Sequence, residues 1–209
     1  MVKRRITGMA AILIGCVFIG LWESPATAQA SVIGEVRQDQ ITFVELEALL
    51  ASRSNYGATF QETHYSHLLT EPLTTSGTLI FNPPSRIEKR VTLPYEETYF
   101  IDENTVRVEI PEKGISNSIS LNEVPSLQGF LLGVRSVLLG DLEYLNQVFS
   151  LKLRGTKTEW TLSLEPLEDP VKEFLSSVTI TGQNNRIITI ELRESNGDHS
   201  LMVIHQDTT

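Results

Sequence analysis

The chain has 209 residues, with 17 Lys and Arg against 26 Asp and Glu, a formal net charge of −9, and is 41% hydrophobic and 7% aromatic. That is enough apolar material for a core, and it excludes a disordered or collagen-like chain. The acidic balance argues against nucleic acid as a partner, because reading a phosphate backbone needs clustered Lys and Arg to displace counterions.

Basic charge gathers at the start. Lys3, Arg4 and Arg5 precede an apolar stretch from Met9 to Leu21, and Ala28-Gln29-Ala30 has the A-x-A form that signal peptidase accepts. Residues 1–30 therefore read as a cleavable signal peptide, residues 31–209 as the mature domain, and the periplasm as its compartment. The 13 residues of the apolar stretch fall short of the about 20 that cross a bilayer as a helix. Leu13-Ile14-Gly15-Cys16 loosely matches a lipobox, which makes lipidation at Cys16 a minor alternative; the apolar run from Val17 to Trp22 disfavours it. Cys16 is the single cysteine, so the mature domain has no internal disulfide, and its 14 basic and 25 acidic residues give a net charge of −11. Such a surface is repelled by anionic lipid.

The mature chain opens with a predicted helix over 42–53, where Thr42 and Glu45 have capping-box spacing and Phe43, Leu46, Leu49 and Leu50 form a stripe. Strands are predicted near 57–70, 75–82, 85–93, 96–102, 105–110 and 115–121, separated by turn formers such as Asn82-Pro83-Pro84, Pro94 and Pro111-Glu112-Lys113-Gly114. The period then changes. Pro125 suits a first helical turn, and Leu127, Phe130, Leu131, Val134, Val137 and Leu138 recur at helical spacing up to Gly140, with a short turn of helix over 141–146. Strands resume at 148–155, 158–165, 174–182, 186–194 and 199–206, and Trp160, Leu162 and Leu164 alternate with polar residues.

About eleven strands and two main helices, without a linker or repeat, make one α+β domain. A flat sheet of that size would expose an apolar face, so the expected fold is a half-open antiparallel β-barrel with helices covering the concave apolar face.

The residues Ala58-Thr59-Phe60-Gln61-Glu62, Gly77-Thr78-Leu79-Ile80-Phe81 with Pro84, and Ile101-Asp102-Glu103-Asn104-Thr105-Val106 resemble the LolA-type carriers of outer-membrane lipoproteins. Leu138-Leu139-Gly140-Asp141 and Trp160 through Pro166 look like the LolA-related branch. The resemblance covers most of the mature chain. It implies a carrier whose interior shelters acyl chains of lipoproteins or lipids between an inner-membrane exporter, the donor, and an outer-membrane acceptor. It also implies no cofactor, and a monomer is expected. Two alternatives stay open: an envelope sensor or adaptor with the same barrel, and a carrier for a glycolipid or polyene exporter. In the better-known carriers a basic residue precedes the proline closing the second strand and helps hold the closed state; Asn82 and Pro83 stand here, so that latch is missing or differently built.

Candidate cavity residues are Phe60, Leu79, Phe81, Ile87, Val91, Phe100, Trp160, Leu162 and Leu164 on strands, with Phe130, Leu131, Val134 and Leu138 on the second helix; each also has an ordinary packing role open to it. Gly129 and Gly133 loosen that helix or allow close packing. Catalysis is not expected. His64 and His67, three apart on a strand, face opposite ways and suit no shared metal, and all four histidines, His199 and His205 included, read as surface residues. No Gly-x-Ser-x-Gly elbow or nucleotide loop occurs, and Glu62, Asp102, Glu165 and Asp169 read as solvated charges near turns or on outer faces.

Overall fold

The computed structural model describes residues 40–52 and 56–206, so the expected signal peptide lies outside the described residues. The first helix, α1 (Phe43–Ala51), starts where the sequence places it: the Thr42 hydroxyl accepts from the Glu45 amide, and the Thr42 amide donates to the Glu45 carboxylate at 2.9 Å. Lys157 adds an ion pair to Glu45 at 2.8 Å. Leu46 and Leu50 are its buried residues, while Phe43 is exposed.

Six strands follow as a meander: β1 (Tyr56–Tyr65), β2 (Leu73–Asn82), β3 (Arg86–Leu93), β4 (Glu97–Ile101), β5 (Thr105–Ile110) and β6 (Ile115–Ser120). Strand β1 stops short of the expected residue 70 because Ser66 opens a turn. Its carbonyl accepts from the Leu69 amide and its hydroxyl from the Leu68 amide. Helices α2 (Pro125–Leu139) and α3 (Leu142–Val148) then lead to β7 (Phe149–Gly155) and β8 (Trp160–Pro166). The one-turn α4 (Asp169–Lys172) precedes β9 (Leu175–Gln183), β10 (Arg186–Glu194) and β11 (His199–Gln206).

All eleven strands form one antiparallel sheet in the order β6-β5-β4-β3-β2-β1-β11-β10-β9-β8-β7. Strands β1 and β11 pair at its centre, with Phe60 opposite Ile204 and Glu62 opposite Met202. Strands β6 and β7 are free edges, so the barrel is half open, as expected. Four α-helices are described, and α1, α3 and α4 each pack against α2.

The pairing fixes which side chains share the helix-covered face. Working outward from Phe60, Glu62 and His64 on β1, the inner set takes in Thr75, Gly77, Leu79 and Phe81 on β2. It continues through Ile87, Lys89 and Val91 on β3 to Glu97, Tyr99 and Ile101 on β4. Two apolar clusters occupy this face. The larger joins Leu46, Leu50, Leu142, Leu145 and Phe149 to Leu162, Leu164, Val178, Ile180 and Ile204; the smaller joins Val106, Val108, Leu121 and Leu131.

Helix α2 begins with Pro125 and ends at Gly140, whose φ of 73° places it in the left-handed region that closes a helix. Its two internal glycines serve close packing. A Cβ at Gly133 would lie 2.4 Å from the Phe149 ring, and one at Gly129 would lie 2.7 Å from Val171. The helix thus lies closer to β7 and α4 than an alanine would permit.

Candidate functional site

The structure gathers most of the sequence-derived cavity residues onto one face, in two groups. Phe60, Phe81, Ile87 and Val91 are buried on the inner face of β1–β3 with Leu79 half-buried beside them. Trp160, Leu162 and Leu164 belong to the larger cluster, where Trp160 lies over Gly182 and donates its indole N–H to the Asn184 carbonyl at 2.8 Å. From α2, Leu131 enters the smaller cluster, Leu138 packs on the larger, and Val134 is half-buried. Phe130 packs against both clusters and meets Phe174 edge-on at 5.9 Å.

Phe100 departs from the expected set. It pairs with Arg107 on the outer face, where the guanidinium lies 4.4 Å from its ring centre. The pairs Lys89–Tyr99 and Ile87–Ile101 put Tyr99 and Ile101 inside, and strand alternation turns Phe100 out.

Helix α2 is fastened to the sheet by a contact that its apolar pattern does not reveal. Arg135 donates through Nε to the Pro84 carbonyl at 2.9 Å, in the β2–β3 turn, and its guanidinium stands 3.8 Å from Glu103 in the β4–β5 turn. The crevice beneath, between Leu131, Leu132, Ile87 and Ile101, holds about 10 Å³, room for one water. The Pro84 turn thus meets a basic group that comes from the helix side.

The inner face also carries charge, which corrects the reading of Glu62 as solvated and of His64 as a surface residue. Both are only 4% exposed. Glu62 Oε2 accepts from Lys89 Nζ at 2.5 Å and lies 3.1 Å from His64 Nε2; Oε1 accepts from Ser200 at 3.2 Å. Burial alone would raise the Glu62 pKa, but the Lys89 charge and the His64 hydrogen bond outweigh it and hold the carboxyl at about 2. Lys89 Nζ also lies 5.2 Å from the Phe60 ring centre. Nearby, Tyr99 donates to Glu97 at 2.6 Å, and burial with that carboxylate pushes the phenol well above its ordinary pKa. The sequence contained this signal: Phe60, Glu62 and His64 are two apart and must share a face. Asp102, Glu165 and Asp169 are exposed as expected.

At the far end of β1, Asp198 is buried and receives hydrogen bonds from Ser66 at 3.2 Å and the His67 ring at 2.8 Å. Glu194 stands beside this group. Burial first, and then the Asp198 charge, raises its pKa to about 7. Tyr65 and His199 stack at 4.4 Å. Among the described residues no group of three or more His, Cys, Asp or Glu is arranged to hold a metal, and no helix is long and apolar enough to cross a membrane.

An unclosed eleven-stranded sheet with an apolar face under packed helices is a half-open β-barrel. The chain belongs to the outer membrane lipoprotein carrier protein LolA-like family, whose model matches residues 39–206. Among solved structures it is similar to a LolA superfamily protein from Nitrosomonas europaea, at 10% identity over 80% of this chain and 92% of that one, with a TM-score of 0.40. A DUF1329 family protein from Desulfovibrio piger gives 8% identity over 79% and 90% of the two chains and a TM-score of 0.44. MucB in complex with MucA(peri) gives 9% identity over 80% and 55% and a TM-score of 0.40. No curated protein matches the sequence.

Proposed function

We propose that the mature domain is a periplasmic carrier that holds acyl chains of lipoproteins or lipids between the sheet and α2, and moves them from an inner-membrane donor to an outer-membrane acceptor. The observation that carries this reading is Phe130, which spans two apolar clusters from a helix tied down through Arg135 at one point of the sheet's rim.

In this reading the described form, whose crevice beneath Leu131 and Leu132 holds about 10 Å³, is the closed one, and cargo enters only when α2 lifts. Lifting exposes the surface that an acyl chain then covers. A chain of about 14 methylenes gains roughly 11 kcal/mol on leaving water, set against the helix packing that it displaces. Loading is thus an exchange of one apolar partner for another. The energy to extract a lipid from a membrane comes from the donor, and the protein acts without catalysis. An acidic shell keeps the loaded carrier off anionic lipid surfaces.

The test is purification from periplasm without detergent, followed by mass spectrometry of organic extracts and titration with dansylundecanoic acid. Acyl compounds in the extract and saturable probe fluorescence are expected. A clean extract together with no probe binding would end the carrier reading.

A further inference from the structure

The charged group on the inner face is incomplete in a way that points to a ligand. Glu62 is saturated by Lys89, His64 and Ser200. Two buried atoms beside it have no partner: His64 Nδ1 and Thr75 Oγ1. Native structures leave few such atoms, and each calls for an occupant. With Nε2 directed at the Glu62 carboxylate, the neutral ring carries its proton there and leaves Nδ1 as an acceptor. The Thr75 hydroxyl can donate or accept. Thr75 pairs with Glu62 across β1 and β2, and His64 lies two residues further along β1. The two atoms therefore belong to diagonal neighbours on adjacent strands, whose backbones stand about 7 Å apart.

Their place on the sheet matters as much as their chemistry. Met202, opposite Glu62, packs on the larger apolar cluster, while Tyr99, opposite Lys89, packs on the smaller. The polar island thus lies between the two surfaces proposed for acyl chains.

We infer that His64 and Thr75, held in place by Glu62, Lys89 and Ser200, form a head-group subsite for a neutral hydroxyl-bearing head, such as the glycerol or sugar of an acyl lipid. A diol supplies the donor that Nδ1 lacks and a partner for Oγ1. A charged head is disfavoured at this point, because Glu62 and Lys89 are already paired with each other and a further buried charge adds its own desolvation cost. This inference rests on the carrier reading and adds the class of cargo to it.

The experiment displaces bound dansylundecanoic acid with 1-monooleoylglycerol and, separately, with methyl oleate, which has the same chain and no donor. The wild-type protein is expected to prefer monooleoylglycerol by about tenfold, the worth of one well-placed hydrogen bond. Thr75→Val should lose most of that preference and leave methyl oleate displacement unchanged, while Thr75→Ser retains it. Thr75→Val removes an unpartnered hydroxyl at nearly constant shape, so the fold should persist; an unshifted thermal midpoint checks this. Equal displacement by the two lipids, or a preference that survives Thr75→Val, overturns the subsite and leaves the carrier reading standing, with water as the occupant. Absence of probe binding in the wild-type protein removes both.

Discussion

Replacing Arg135 with Met keeps the apolar stem of the side chain and deletes the guanidinium that fastens α2 to the β2–β3 turn. The hydrogen bond to the Pro84 carbonyl at 2.9 Å is charge-assisted and three-quarters shielded from solvent on the arginine side, which makes it worth about 1.5–2 kcal/mol. The Glu103 contact adds under about 0.5 kcal/mol, because that carboxylate is 62% exposed and stands 3.8 Å away. If α2 must lift before cargo enters, this loss raises the open population roughly 10- to 30-fold, and the apparent affinity for an acyl probe rises by a comparable factor while the open form remains rare. Stopped-flow fluorescence with dansylundecanoic acid reads the association rate, and hydrogen exchange at the α2 amides reads opening without any ligand. Both should quicken in Arg135→Met, with Arg135→Lys in between, since an ammonium keeps the charge and loses the Nε geometry. Unchanged exchange at α2 and an unchanged association rate, in a protein that still melts cooperatively, would refute the latch.

Phe130→Glu places a carboxylate between the two apolar clusters, so acyl-probe binding should disappear while the far-ultraviolet dichroism of the sheet is kept; full binding by this variant would mean that α2 does not line the site. Lys89→Met leaves Glu62 buried without its counter-charge and should destabilise the domain by about 3–5 kcal/mol in urea unfolding, whereas Glu62→Gln with Lys89→Met should recover more than half of that loss. Since the folded Glu62 pKa lies at about 2, below its ordinary 4.5, its contribution is complete above pH 4.5 and is lost as the pH falls toward 2; the double variant should show a flatter acid limb. Glu194 runs the other way. With its pKa raised from 4.5 to about 7, the folded state keeps a proton that the unfolded state releases, so this stabilisation is full below pH 4.5 and is lost as the pH rises through 7. Amide exchange in the 194–198 turn should quicken over that range, less so in Glu194→Gln.

The strand and helix pattern was legible because it rests on local signals. Thr42 with Glu45, Pro125 with Gly140, and the proline and glycine turns mark the element ends within a few residues. Side-chain direction was less so, and Phe100 and Glu62 show why. Hydrophobicity alone assigned Phe100 to the interior and Glu62 to solvent, whereas pairing across β4–β5 and β1–β2 binds each residue to the parity of its strand. Phe60, already placed inside, fixes Glu62 and His64 beside it, and the same step carries Lys89 in with Ile87 and Val91. Arg135 could not be read this way. Its partner is a backbone carbonyl 51 positions away, and carbonyls leave no mark on a sequence.

The placement of the glycines bears on how the helix opens. Gly129 and Gly133 bring α2 against Val171 and Phe149, on the side of the larger cluster, where the contact is one of interlocking shape. On the other side, Leu131 and Leu132 cover a crevice near β3 and β4, and Arg135 secures that edge. The two edges therefore differ in kind: one packs over a broad apolar area, and the other is held by a charge-assisted hydrogen bond. Packing resists displacement in proportion to buried area, while the hydrogen bond yields once a competing partner for the guanidinium arrives. The helix should accordingly pivot about its glycine edge and open first at the β2–β3 turn. Exchange at amides 131–135 should then precede exchange at amides of α3. Simultaneous exchange of the two helices would mean that they leave the sheet as one unit.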